Sequence, residues 1–237
     1  MPRSRVTALS WVVAICFILA TALLLIDRLN LVATPPAVPD SANMIDRVLG
    51  SVDYRQAIWP VFLWTNLLFG VGFIAAVPFA AVVASRIAGG LPAFVALTAV
   101  GGTIAAIASL IPIGAVNAAV WLQYCDCGFK ETEIISQQWA GMVAFDIGDW
   151  FNRVGSVVLA VALAMLVWEA AGRIASALRT WTILTAIALA ALPVMSTIGR
   201  LGDVPDYLAA IIGAVLVPVW AIWLGRSIED GAEGSAA

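Results

Sequence analysis

Six long apolar stretches, separated by shorter polar ones, set the pattern of this chain. They run over about residues 9–26, 58–84, 91–116, 150–168, 181–198 and 207–224. Each is near or above the roughly 20 apolar residues needed to cross a hydrocarbon core of ~30 Å. Backbone polar groups in lipid must be paired within the spanning segment, so stretches of this length predict helices. The expected fold is therefore all-α: a polytopic transmembrane helix bundle with six crossings, forming a single transmembrane domain over residues 1–237.

The flanks refine this picture. Arg3 and Arg5 precede the first stretch, as in a signal peptide, but the run is longer than the usual apolar region of about 7–15 residues. No clean small-residue cleavage site follows, so it reads as an uncleaved anchor. Trp59, Trp121 and Trp150 fall at one set of helix ends, and Trp11, Trp168, Trp181, Trp220 and Trp223 at the other. Indoles favour the membrane interface, where an apolar ring meets a wet N–H. An inside N-terminus puts Arg3, Arg5, Arg86, Arg173, Arg179 and Arg226 in the cytoplasm. It leaves Arg28, Arg47, Arg55, Lys130, Arg153 and Arg200 outside. The raw count is balanced, but the inside set sits in short segments beside helix ends, where the positive-inside effect acts. The expected location is the bacterial inner (plasma) membrane, with both termini cytoplasmic.

Two polar segments carry structure of their own. After Pro35 and Pro36, Asp40 or Ser41 offers an N-cap. Met44, Ile45, Val48, Leu49 and Val52 then recur at helical spacing, predicting a short outer amphipathic helix. The second segment spans 117–148 and becomes helical from about Thr132. A single straight helix from Thr132 to Glu169 would measure roughly 57 Å, more than a full bilayer, so a bend at Gly141 or Gly148, a tilt or a projection is expected.

Composition agrees with lipid as the solvent: charged residues are 11% of the chain, against about 25% in soluble domains. The net charge of −3 and the lack of a basic stripe argue against nucleic acid. Histidine is absent, which excludes a His-ligated haem, a Ser-His-Asp triad and a histidine zinc site. No cofactor and no metal site are expected, and no phosphate-binding glycine loop, HExxH or GxSxG stands at a usable place.

The remaining polar groups are the candidate chemistry. Asp146, Asp149, Asn152 and Arg153 form a cluster at the start of the fourth crossing. Asp149 and Arg153, four apart, suit one helix face. They read either as a cation, proton or headgroup site or as a plain first-turn salt bridge within snorkelling reach of water. Cys125 and Cys127 form a C-x-C that fits a redox or soft-metal pair, or simply a tight turn. Asn66, beside Thr65, would line a pathway or hydrogen-bond a neighbouring helix. Glu169 is expected to make a surface pair with Arg173, Asp203 to cap the sixth helix ahead of Pro205, and Arg200 to be spare for Asp149 or an anionic headgroup. Small residues at four-residue steps predict close helix packing. These are Gly72, Ala76, Ala80 and Ala84; Gly101, Ala105 and Ser109; Ser156, Ala160 and Ala164; and Thr182, Ala186 and Ala190. Pro78, Pro112, Pro193 and Pro218 interrupt spans.

The anchor ending at Ile26-Asp27-Arg28, the segment Pro39-Asp40-Ser41-Ala42-Asn43-Met44-Ile45 and the run from Pro218 to Arg226 resemble six-helix bacterial membrane proteins grouped as a domain of unknown function. The resemblance would cover most of the chain and implies a six-helix fold, without a catalytic residue to carry over. The first expectation for function is a non-enzymatic bundle whose partners are membrane lipids, another membrane protein or a second copy of the chain. A small transporter or channel using the Asp146/Asp149/Arg153 cluster is the alternative, and a membrane enzyme or redox protein using Cys125 and Cys127 is the third.

Overall fold

The computed structural model describes residues 4–34, 53–87, 89–124, 131–197 and 204–234. All regular structure among them is helical. The order is α1 (Ser4–Arg28), α2 (Trp59–Arg86), α3 (Pro92–Tyr124), α4 (Glu131–Glu169) and α5 (Ser176–Thr197). The last crossing is α6 (Val204–Ile211), a π-helical turn (Ile212–Leu216) and α7 (Val217–Gly234). Six crossings are long and apolar enough to span a membrane. The expected breaks hold to within a few residues, and α4 is continuous from Glu131 as its pattern predicts; the exceptions are α3, which runs on to Tyr124, and α7, which runs on to Gly234. The expected amphipathic stripe, Met44 to Val52, lies outside the described residues; residues 53–57, which follow it, are helical.

Two of the breaks between helices have a clear local cause. At the end of α1, Asn30 takes a left-handed φ of 53°. Its N–H bonds the Asp27 carbonyl and that of Leu31 bonds Ile26, a Schellman closure with asparagine in the usual glycine place. The turn before α3 uses Gly89 and Gly90 at φ 98° and 75°, a region costly for any side chain. Pro92 then opens α3 without an N–H to satisfy. The next two amides, Ala93 and Phe94, donate to the two carboxylate oxygens of Glu169, both at 3.1 Å. Glu169 is thus a cap supplied by α4 to the N-terminus of α3, a role that the expected surface pair with Arg173 did not include.

The helices close into a ring. Each packs on its neighbour in sequence, and the last crossing returns to α1. Close approach follows the small residues. A Cβ built on Gly155 of α4 would lie 3.0 Å from the Ala105 Cβ and 3.1 Å from its backbone nitrogen. One on Gly101 would lie 3.0 Å from Leu159. On the other side, Gly72 of α2 receives the Phe17 ring of α1, with 2.9 Å between that ring and a built Cβ. The stripes are shorter than expected, because Ala164 and Ala190 are exposed.

Packing differs between the two ends of the ring. The main core gathers Val83, Ile87, Leu91, Phe94, Leu166, Leu178 and Leu224. These lie at the end where α2 and α4 finish and α3 and α5 begin. Trp220, expected at the interface, belongs to this core instead. It is 6% exposed and meets the fully buried Phe79 edge-on, with centroids 5.9 Å apart. At the opposite end, among the described residues, the buried cluster is the small one of Ile58, Phe62 and Val116.

Overpacking a tight contact costs about 1–3 kcal/mol. Gly155→Leu is expected to lower the thermal midpoint in detergent by that measure. Gly114→Ala, with nothing within 4 Å of the built Cβ, should hold or raise it. Equal midpoints for Gly155→Leu and the unsubstituted chain would contradict the α3–α4 contact.

Candidate functional site

Where the ring is not filled by the core, it encloses a hollow of about 470 Å³. This lies within the ~300–1,000 Å³ range of small-molecule sites. Every crossing contributes to its wall. Phe17, Phe69 and Phe73 make one aromatic side, with Phe17 edge-on to both other rings at 5.8 and 5.0 Å. Leu159, Leu163, Leu189 and Leu192 make much of the other. Small residues leave the space open, among them Ala108, Ser109, Gly148, Ser156, Ala209 and Gly213.

The polar groups are sorted by depth. Asp27 and Arg28 end α1, Arg55 precedes α2, Asp149 and Arg153 lie early in the fourth crossing, and Asp206 is in the first turn of α6. Antiparallel neighbours bring all six to one end of the hollow, and all six line it. At the other end lie Val13, Thr98 and Trp220. From Asp206 to Trp220 the helical rise is roughly 21 Å, more than half of a ~30 Å hydrocarbon core. The hollow is therefore deep, charged at its mouth and closed at its base by Trp220 against Phe79.

The mouth is held by side-chain pairs. Arg153 bonds Asp149 through Nη2, four residues earlier, and donates from Nη1 to the Thr197 hydroxyl at 3.2 Å, tying α4 to the end of α5. Its guanidinium also lies over the Trp150 ring, 5.1 Å from the centroid. Arg28 meets Asp206 at 3.3 Å, joining α1 to α6. The Tyr54 hydroxyl donates to Asp27 at 2.6 Å. Arg55 stands over the Phe62 ring at 5.2 Å. Burial, and then the hydrogen bond to Asp27, push the Tyr54 phenol up to about 12. Burial also lowers the Arg55 guanidinium from its usual value, with Asp27 opposing the shift. The guanidinium still remains a cation at neutral pH.

Deeper, most polar side chains serve their own helices. Thr65 donates to Val61 O, Asn66 to Phe62 O and Ser109 to Ala105 O. The donor of Asn66 thus turns to its own helix, not to a neighbouring one, while the residue still lines the hollow. The Trp220 Nε1 donor is buried without a hydrogen-bond partner among the described residues.

Of the residues singled out from sequence, Asn66, Asp149, Asn152 and Arg153 share this wall, together with Ser109 and Ser156. Asp146 is exposed and does not line it. Cys125, Cys127, Arg200 and Asp203 lie outside the described residues. Among the described residues, no group of three or more histidine, cysteine, aspartate or glutamate side chains is placed to hold a metal ion. Sequence reasoning missed Asp27, Arg28, Tyr54, Arg55 and Asp206. Their only signal was that each charged residue abuts an apolar span at the same end.

Comparisons with family models, with curated proteins and with solved structures give no match. The geometry of the hollow therefore carries the functional reading.

The Tyr54 contact has a spectroscopic consequence. A raised phenol keeps its proton until well above the ordinary value of 10.0. Its contribution to stability is fully present below that pH and is lost as pH rises through about 12. In a phenolate absorbance titration, the difference between the wild type and Tyr54→Phe is expected to titrate near 12. A difference curve centred near 10 would contradict the Tyr54–Asp27 bond.

Proposed function

We propose that this chain is a non-enzymatic membrane protein that takes a lipid-like amphiphile into its helix ring, tail inward and head at the charged mouth. The single observation that supports this is the sorting of the hollow: aromatic and aliphatic walls over most of its depth, and six ionised side chains confined to one end. An apolar tail gains from contact with Phe17, Phe69 and Leu163 that an empty space forfeits. A polar head at the mouth stays near water and near charge. The absence of histidine agrees with binding over acid–base chemistry. The resemblance to six-helix bacterial membrane proteins supports an inner-membrane setting. The placement of arginines beside the opposite helix ends supports a mouth facing outward, with both termini cytoplasmic.

Transport is the second reading, favoured by the depth of the hollow past the middle of the span. It requires the Phe79–Trp220 pair to part, because that contact stands across the continuation of the hollow.

Binding is tested by native mass spectrometry of the chain released from mild detergent, with extraction and identification of the retained lipid. One amphiphile per chain is expected. Ser109→Trp fills the hollow from α3 and should reduce the bound fraction about tenfold, equivalent to 1.4 kcal/mol. Helical content should remain unchanged. Retention equal to wild type in a folded Ser109→Trp variant, or no bound amphiphile in either, would overturn the proposal. Vectorial movement of labelled lipid in proteoliposomes, abolished by the same variant, would instead establish transport.

A further inference from the structure

The mouth also specifies what kind of head it receives. Among the described residues it carries three guanidinium groups, Arg28, Arg55 and Arg153, and three carboxylates, Asp27, Asp149 and Asp206. We propose that the head is zwitterionic, a phosphodiester joined to an ammonium group, as in the neutral phospholipids of a bilayer. This rests on the amphiphile reading above and names the ligand class of the same site.

The case is one of charge exchange. Arg28 and Asp206 come from different crossings and meet at only 3.3 Å, with side chains 56% and 40% exposed. Pairs this wet are worth little and separate easily. A zwitterion can enter such a pair in kind: its phosphate oxygens replace a carboxylate beside arginine, and its ammonium replaces arginine beside the carboxylate. No net charge is carried into the mouth, and no side-chain charge is left unpaired. A singly anionic head satisfies the arginines but sets its phosphate against the displaced carboxylates, and like charges in contact are costly. A singly cationic head has the converse defect.

Geometry adds a donor for the phosphate half. Arg153 uses Nη2 on Asp149 and Nη1 on Thr197, and its Nε is buried with no acceptor among the described residues. A guanidinium offers its donors in a planar fork suited to phosphate oxygens. Asp149, one helical turn before Arg153, is the nearest seat for the ammonium. Arg153 and Asp149 on α4 thus offer the head the same two complements that Arg28 and Asp206 offer between α1 and α6.

The test uses the full chain, delipidated in a nonionic detergent. It is titrated with four single-chain amphiphiles of equal tail length bearing phosphocholine, phosphoglycerol, trimethylammonium or maltoside heads. Tightest binding is expected for phosphocholine, by about tenfold over either charged head. Asp149→Asn should shift the preference toward phosphoglycerol, and Arg153→Gln toward trimethylammonium. Asp206→Asn gives a second acid-removal variant with the same expected direction, should Asp149→Asn fail to fold. Equal or tighter binding of phosphoglycerol by wild type overturns the head-group proposal. So does equal binding of all four heads that Ser109→Trp still blocks, and there the amphiphile site itself stands. Binding that Ser109→Trp leaves unchanged in every case overturns the site, and the head-group proposal with it.

Discussion

Contact at van der Waals distance between helices is the interaction on which this structure depends. Lipid tails are as apolar as leucine, so burying side chains against other helices gains little from leaving lipid. What remains is dispersion, which falls steeply with separation. Gly155 against Ala105 and Gly72 against Phe17 allow backbone and ring to approach closely on two sides of the ring. With the ring held at those seams, its interior need not be filled throughout. At one end large side chains from all around the ring meet and fill it. At the other, small residues and charged ones leave the hollow.

Electrostatics then decides which end stays open. Three acids and three bases could not be drawn into an apolar core without a large desolvation cost. Their positions at helix ends keep them close to water, and their contacts link one crossing to another. Arg28–Asp206 ties the first helix to the last, and Arg153–Thr197 ties the fourth to the fifth. The same groups hold the rim together and define its chemistry.

The fold was legible because span length and apolar content are properties of short windows of sequence. The six crossings, the continuation of α4 through residue 132 and the Asp149–Arg153 pair all follow from local spacing. The site was only half legible. Asn66, Asp149, Asn152 and Arg153 were visible as polar intrusions, but Asp146 looked equivalent to Asp149 and is not. It lies three residues nearer the start of α4, exposed and beyond the wall that Gly148, Asp149 and Asn152 form. Arg28 with Asp206, and Tyr54 with Asp27, depend on how the ring closes, and no spacing rule reports that. Trp220 was misassigned because a tryptophan near a helix end usually marks an interface. Here the ring closure places it against Phe79. The capping role of Glu169 was hidden for a related reason: the backbone amides it accepts from are 75 and 76 residues away.

The π-helical turn has a consequence for register. Over Ile212–Leu216 the backbone widens, and the Val217 N–H reaches back to the Ile212 carbonyl. Pro218, which follows, lacks an N–H and would press its ring on the carbonyl four residues earlier in a regular helix. The Trp181 indole anchors the turn by donating to the Leu216 carbonyl at 3.1 Å. Such a bulge holds one residue more than the α-helical path, and each residue turns the helix by about 100°. Residues on both sides of the turn, Asp206 and Ala209 before it and Val217 and Trp220 after it, line the hollow. The extra residue is thus taken up within the turn, so a deletion there that closed it to a regular helix would keep the flanking segments in phase and leave Trp220 seated against Phe79.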